Sequence, residues 1–502
     1  MLARRHTQIK MISKSNGNSS IILYGAGFRC AKLVEALKSS DINLEVASIF
    51  DSNSQKVGTY IGDYRVNGLE ELSKFKHCKF CITMANLNTV ADIKSILEVK
   101  YGFCDRNQIL YNTLMYESIK KNRCNEVFQT DLDYAKSNYS SKKRVYFGLL
   151  NGMILGGIEE RVKQLCTVML KERSIDAYIV TKHSDGRIDI DDFLMDHIIN
   201  TDIKYGYVEA NVNSLIACLK DKLPCTVVTN QPDELLLAAC FYKENFPDQI
   251  HIISIISGAQ ECIFDEYIKF PIRSDLYIGV SKDIERIMKS NGIDNVVSMK
   301  VPFPCDEVIN REYSIEQNTP LRIGYAGRLD GFQGYQKRMD VLLEVLKTID
   351  ERGIDFCASI AGEGPAREQM ELFIKENGLD GRIRFLGIVP KDEMRSFWKN
   401  QDIGLNVADY EGRSISIAEI MGGGAVPIVT DTSGVREDII DGENGYIVPI
   451  GDFRCVADRI EYLNNNRIRI KEMGELAHKL IWPKSRMDNH LKFWDRVLGN
   501  NC

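Results

Sequence analysis

A short apolar run that ends in a glycine turn and opens into a helix-periodic stretch recurs three times in this chain, and no other feature limits its fold as strongly. The first instance is Ile21–Tyr24, then Gly25-Ala26-Gly27, then a helical pattern through Leu37. The second is Arg144–Gly148, with glycines at Gly156 and Gly157 and an amphipathic stretch from Ile158 to Lys171. The third is Leu321–Gly327, and its rhythm continues to about Asn465. Strands that alternate with helices are joined by crossovers, which gives parallel sheets covered by helices. The chain therefore reads as α/β, with blocks at 19–114, 143–305 and 306–480. Residues 115–142 are polar and rich in Tyr, Asn and Lys, and read as a linker with some helix. That linker predicts that residues 143–502 fold alone. A last helical stretch within 481–502 carries Phe493 and Trp494, and is expected to pack back on the N-terminal half.

Composition narrows the function. With 44% apolar and 27% charged residues the chain is an ordinary globular one, which excludes a disordered or collagenous protein. The net charge of -6 gives no global reason to bind nucleic acid. The 14 cysteines are scattered; the one close pair, Cys78 and Cys81, has no second pair to complete a zinc site, so free thiols in a reducing compartment are expected. No signal-peptide pattern opens the sequence, and no apolar run approaches the roughly 18–20 residues of a spanning helix. A cytoplasmic protein is expected, at most peripheral to the inner face of the cell membrane. The 7 histidines show no metal-ligand spacing. Asp189-Ile190-Asp191 is a DxD in a polar loop, and neither a metal nor a cofactor is expected from it.

The third block carries most of the chemistry. Arg328 follows a buried strand, and Lys337 lies in the loop before the next helix. Ligands of open α/β sheets sit beyond the carboxyl ends of the strands, where two cations could neutralise a diphosphate. Gly362 and Gly364 end the strand Ala358–Ala361 and allow a close approach of ligand or backbone. Further on, Ser414 or Ser416 can cap a helix whose free amides and dipole favour phosphate. Glu411 and Glu419, two helical turns apart, could accept hydrogen bonds from a sugar and a ribose. Ser416 and Glu419 also fit a capping box, in which Glu419 only closes its own helix.

In order and context these landmarks resemble a known family. Gly327-Arg328-Leu329 with Lys337, Ala361–Pro365, Phe385–Gly387, the Glu411 and Glu419 pair, Ile420–Pro427, Thr430–Glu437 and Asp441–Tyr446 resemble the donor-binding domain of a family 4 (group 1) glycosyltransferase. The resemblance implies a GT-B fold, two facing Rossmann-like domains, here preceded by a small Rossmann-like domain. It implies a nucleotide-diphosphate-sugar donor, a glycan or lipid-linked acceptor, retention of configuration and no metal. Surface polysaccharide or lipopolysaccharide synthesis is the expected setting. By the same resemblance Arg328, Lys337 and Glu411 are catalytic, with Glu411 on the donor sugar. Gly157, Gly362, Ile388, Ser414, Ile415, Ser416 and Glu419 would bind the donor, with Glu419 on the ribose and Ile388 against the base.

The acceptor-side half matches more loosely. Gly156-Gly157 resembles the family's glycine loop, but Ser257-Gly258 stand where many members carry a histidine, and His251 opens the strand instead. In the first block Gly25, Gly27 and Asp51 suggest a second nucleotide site, but Cys30 replaces the third glycine of the fingerprint, and a purely structural or docking domain is the other reading. The rival reading is a non-catalytic sugar-nucleotide sensor or scaffold derived from a transferase.

Overall fold

β1 (Ser19–Tyr24) is a strand covered on both faces: Ile21, Ile22 and Leu23 are all fully buried, as expected where helices flank a parallel sheet. A computed structural model describes residues 19–499 apart from 41, 43, 85–86, 124–142, 151, 153–156, 174, 183–191 and 205. β1 belongs to a five-stranded sheet with β2 (Leu44–Phe50), β3 (Tyr60–Ile61), β4 (Tyr64–Asn67) and β5 (Lys79–Ile82), in the order β3-β4-β2-β1-β5. Its pairs are parallel except the β3–β4 hairpin.

The second sheet contains β6 (Arg144–Leu149), β7 (Asp176–Lys182), β8 (Ile198–Thr201), β9 (Cys225–Thr229), β10 (Ile250–Ile256), β11 (Leu276–Gly279) and β12 (Val296–Ser298), in the order β12-β11-β10-β9-β6-β7-β8. The third contains β13 (Leu321–Ala326), β14 (Phe356–Ala361), β15 (Ile383–Gly387), β16 (Ile403–Asn406), β17 (Val426–Thr430) and β18 (Tyr446–Val448), in the order β15-β14-β13-β16-β17-β18. Every pair in it is parallel. All three sheets reverse at their first strand: β5, β9 and β16 lie on the opposite side of β1, β6 and β13 from β2, β7 and β14. Such a reversal opens a crevice beyond the carboxyl ends of the two strands it separates.

The described residues form two compact units. One runs through Ile256 and adds Gln260–Ile278 and Ile287–Val296; the other takes Ser257–Ala259, Gly279–Arg286 and the chain from Val297 onward. The first unit corrects the expectation of a linker beginning at 115. A helix, Tyr111–Arg123, crosses that position, and Met115, Tyr116 and Ile119 on it are buried. Ser118 donates to the carbonyl of Ala36 at 3.0 Å, in the first block. Tyr116 donates to Glu244 at 2.8 Å, and Lys120 pairs with the same carboxylate, in the second. Glu244 lies on the helix Glu234–Asn245, where Leu235 to Tyr242 are all buried, the mark of a core helix. Lys94, only 7% exposed, pairs with Asp265 at 2.8 Å and Glu261 at 3.0 Å. The first block keeps a core of its own, and its helix Tyr111–Arg123 packs on the second block, so residues 143–502 without it would expose apolar surface.

The closing helix Met487–Val497, expected against the N-terminal half, meets the end of block 143–305 at Lys300, within the compact unit that also holds the third sheet. There His490 Nδ1 lies 3.1 Å from the carbonyl of Lys300, and its Nε2 accepts from the buried Trp494. Cys78 and Cys81 are buried free thiols. Among the described residues no helix is long and apolar enough to cross a membrane.

Candidate functional site

The crevice of the third sheet is built from loops whose backbones are drawn unusually close. Gly327 N–H donates to the Ala361 carbonyl and Leu329 N–H to that of Glu363, which joins the loop after β13 to the loop after β14. Gly362 N–H in turn donates to Gly387 at the end of β15, at 2.7 Å. Gly362 has φ +146°, and a Cβ there would lie 1.9 Å from the Gly327 carbonyl oxygen. A Cβ on Gly364 would lie 2.3 Å from the carbonyl oxygen of Leu329. These glycines are needed because backbone occupies the space of a side chain.

Against this frame the structure gathers the cations. Arg328 donates to Gln336 Oε1 at 2.9 Å and lies 3.3 Å from Asp330. Gln336 Nε2 donates to the Tyr410 carbonyl at 3.0 Å and faces Glu411 Oε2 at 3.4 Å. Lys337 is ion-paired with Glu411. Arg338 reaches Asp409 at 2.9 Å and Asp340 at 2.6 Å, fixing the base of the same loop. Arg328, Lys337 and Glu411 thus form one cluster, with Gln336 as its centre. The sequence reading missed Gln336, since an amide in a polar loop carries no pattern of its own.

The helix Ile415–Gly422 begins beside this cluster in sequence. Ser414 is its N-cap in extended conformation, yet its side chain makes no bond to the helix amides. Asn406, at the end of β16, instead holds Ser414 Oγ at 2.9 Å and Ser416 Oγ at 3.0 Å. The first-turn amides are therefore left to an anion. Ser416 already lies inside the helix, so the capping box with Glu419 does not form. Glu419 lines a small recess with Lys391 and Trp398. Burial pushes its carboxyl up to about 7, with the Lys391 charge opposing the rise. Ile388 is 58% exposed just beyond β15.

Ser257, where a histidine was expected, belongs to the same compact unit. Its carbonyl oxygen would be 2.1 Å from a Cβ on Gly412, next to Glu411, so a glycine is required there. Ser257 Oγ is buried without a partner among the described residues. Arg413 makes a bidentate pair with Asp438, which the sequence did not signal. His251 opens β10 and lies 4.0 Å from Asp275; burial lowers its pKa, and the contact gives it a structural place.

The other site residues belong to the other compact unit. Gly157 is the first residue of the helix Gly157–Glu172, while Gly156 and the Asp189–Asp191 motif lie outside the described residues. In the first block Asp51 accepts from the backbone N–H groups of Ala26 at 2.7 Å and Asn53 at 2.8 Å. Lys56 also pairs with it, at 3.4 Å. The carboxylate expected to face a ribose therefore holds its own glycine loop, and the Ala26 amide is already bonded. Gly25 has φ +102°, and a Cβ on it would meet Met84 Sδ at 2.8 Å.

Residues 308–480 match the family of glycosyl transferases group 1. The N-acetyl-alpha-D-glucosaminyl L-malate synthase of Bacillus anthracis is 23% identical over 278 residues, 52% of this chain and 71% of that protein. Among solved structures, the lipopolysaccharide outer core galactosyltransferase WaaB in its apo form matches with a TM-score of 0.57 at 19% identity. The match covers 72% of this chain and 100% of that one. The pneumococcal O-GlcNAc transferase GtfA, solved with UDP and GlcNAc, matches with a TM-score of 0.58 at 12% identity, covering 72% and 99%. These likenesses give the fold as GT-B, with an additional N-terminal sheet domain before the two Rossmann-like sheets.

Proposed function

We propose, for a chain whose residues 308–480 form a group 1 glycosyltransferase domain, the transfer of a sugar from a nucleotide-diphosphate donor to a glycan hydroxyl in bacterial surface polysaccharide synthesis. The observation that carries this reading is the linked set Arg328–Gln336–Glu411–Lys337 at the switch point of the third sheet. It adjoins in sequence a helix whose N-terminal amides are uncapped by side chains. Cations and amides aimed at one place stabilise the charge that builds on a diphosphate as it leaves.

In this reading the bond from the anomeric carbon to the diphosphate oxygen breaks while the acceptor oxygen approaches from the same face. The acceptor proton passes to the departing phosphate, and configuration is retained. Arg328 and Lys337 hold the diphosphate, the amides at Ser414, Ile415 and Ser416 its distal phosphate, and Glu411 the sugar hydroxyls. Glu419, whose carboxyl burial pushes up to about 7, is partly protonated at neutral pH and so offers a ribose a donor as well as an acceptor. The test is a panel of UDP-, GDP- and ADP-sugars assayed for transfer and hydrolysis with the full chain and with Lys337→Ala. A donor turned over by the wild type and not by the variant supports the reading. Turnover equal in both sinks it.

A further inference from the structure

A cavity of about 270 Å³ lies inside the first unit, at the carboxyl ends of strands from two sheets. Met84 follows β5, Leu150 follows β6, Lys182 ends β7 and Gln231 follows β9, and all four line it. β6 and β9 are the strands between which the second sheet reverses, so the cavity occupies a switch point, where open α/β sheets hold their ligands. Its size is close to the lower end of small-molecule sites, about 300 Å³. The opposite wall comes from the first block, through Arg29, Tyr111 and Asn112.

The walls hold polar groups that lack partners. Arg29 stacks its guanidinium on the Tyr111 ring, 3.8 Å from the centroid, and gives one N–H to the Met84 carbonyl. Its Nε is buried with no partner among the described residues. The hydroxyl of Tyr111, a residue only 4% exposed, is in the same state. Buried donors are nearly always paired, so each of these is a place for a ligand oxygen. Lys182 and Lys204 add two more cations. The carboxyls opposite them are engaged already. Asp233 accepts from the amides of Leu235 and Leu236, Glu266 from Asn112 and Glu234 from Asn211. Burial pushes Asp233 and Glu266 up to about 7, so at neutral pH the cavity is more positive than its residue list suggests.

We propose that this cavity binds a small sugar bearing one anionic group, a phosphate or a carboxylate. Arg29, Lys182 and Lys204 face the charge, and Tyr111, Asn112 and Gln231 meet the ring hydroxyls. None of the residues assigned to the donor lines this cavity: Arg328, Lys337, Glu411 and Glu419 belong to the other unit, and Gly157, in the same unit, is not in its wall. Titration calorimetry on the full chain, with glucose 6-phosphate, glucuronate, glucose and inorganic phosphate, tests it. Saturable binding of glucose 6-phosphate or glucuronate is expected, with glucose and inorganic phosphate at least about tenfold weaker, a difference of one charged contact. Arg29→Gln should weaken the anionic sugar about tenfold or more. Lys182→Gln with Lys204→Gln, at exposed positions that leave the core intact, should do the same. Affinity for UDP or GDP should stay unchanged in every variant, and the melting transition of the unit that holds the cavity should be kept, which shows that each variant is folded. The proposal fails if neither anionic sugar saturates, if glucose binds as tightly, or if the lysine variants bind like the wild type. It fails equally if UDP or GDP displaces the sugar competitively, since the site titrated would then be the donor's.

Discussion

The Lys337 ammonium rests on the Glu411 carboxylate, and both side chains are largely withdrawn from water, at 13% and 11% exposure. Neither group is therefore waiting unpaired. In the proposed reading, a donor diphosphate entering beside Lys337 would share that cation with Glu411 and free carboxylate lone pairs for the sugar. Lys337→Ala and Arg328→Ala should each lower turnover on the order of 10²–10³, the loss typical of one electrostatic stabiliser. Because Lys337 and Glu411 form one pair, Lys337→Ala with Glu411→Ala should cost clearly less than the product of the single losses. Steady-state kcat and KM for the three variants check this, and strictly multiplicative losses would separate the two residues.

Glu419 gives a different signature. A ribose contact acts in ground and transition states alike, so Glu419→Ala should raise the Kd for UDP or GDP with little further loss in kcat. No capping box exists to be broken, so the roughly 0.5–2 kcal/mol cost of a lost cap is not expected. Calorimetric nucleotide affinity beside the melting temperature distinguishes the outcomes.

The glycine crossings set a stability test. Gly362→Ala forces a Cβ onto the Gly327 carbonyl at a positive φ, and Gly412→Ala onto that of Ser257. The backbone strain alone is about 1–3 kcal/mol at Gly362. The displaced loops should also lower donor affinity, read by nucleotide titration. Gly378, at φ +69° with open space around it, is the control: Gly378→Ala should lose stability but not affinity.

The pH dependence follows from the buried carboxyls. Glu266 titrates at about 7 in the folded chain, mainly through burial, against 4.5 as its ordinary value. Between those values the folded state keeps a proton that the unfolded state has lost. Its contribution therefore falls as pH rises from about 4.5 and levels off above 7. Glu266→Gln keeps an acceptor for Asn112 and removes that titration. It should raise the melting temperature more at pH 8 than at pH 5. An equal shift at both would exclude Glu266 as the source.

Much of this was legible in sequence because glycines and apolar runs mark parallel sheets directly. The βα rhythm was found that way, and it put Arg328 and Lys337 after β13; Glu411 and Ser414 drew notice from their place before a helix and from the family resemblance. Gln336 and Asn406 were not, because an amide signals only through the partners it meets, and those are distant in the chain. Some helix was expected in the connector, but the burial of Tyr111–Arg123 was missed for a related reason. Its tyrosine, serine and lysine look solvated in sequence, yet Tyr116 and Ser118 bury their polar ends on Glu244 and Ala36. Asp51 was read as a ligand contact when its nearest donors were its own backbone.

That helix also fixes how the protein comes apart. With Tyr116 and Lys94 seated in the second block, the first sheet has no boundary at which it can melt by itself. Heating should therefore produce two cooperative transitions rather than three, one for each compact unit. During synthesis the first sheet emerges well before the helix Glu234–Asn245, and must hold an unfinished apolar face until its partner arrives. The length of chain between them is the stretch of synthesis over which that face has no cover from the fold itself.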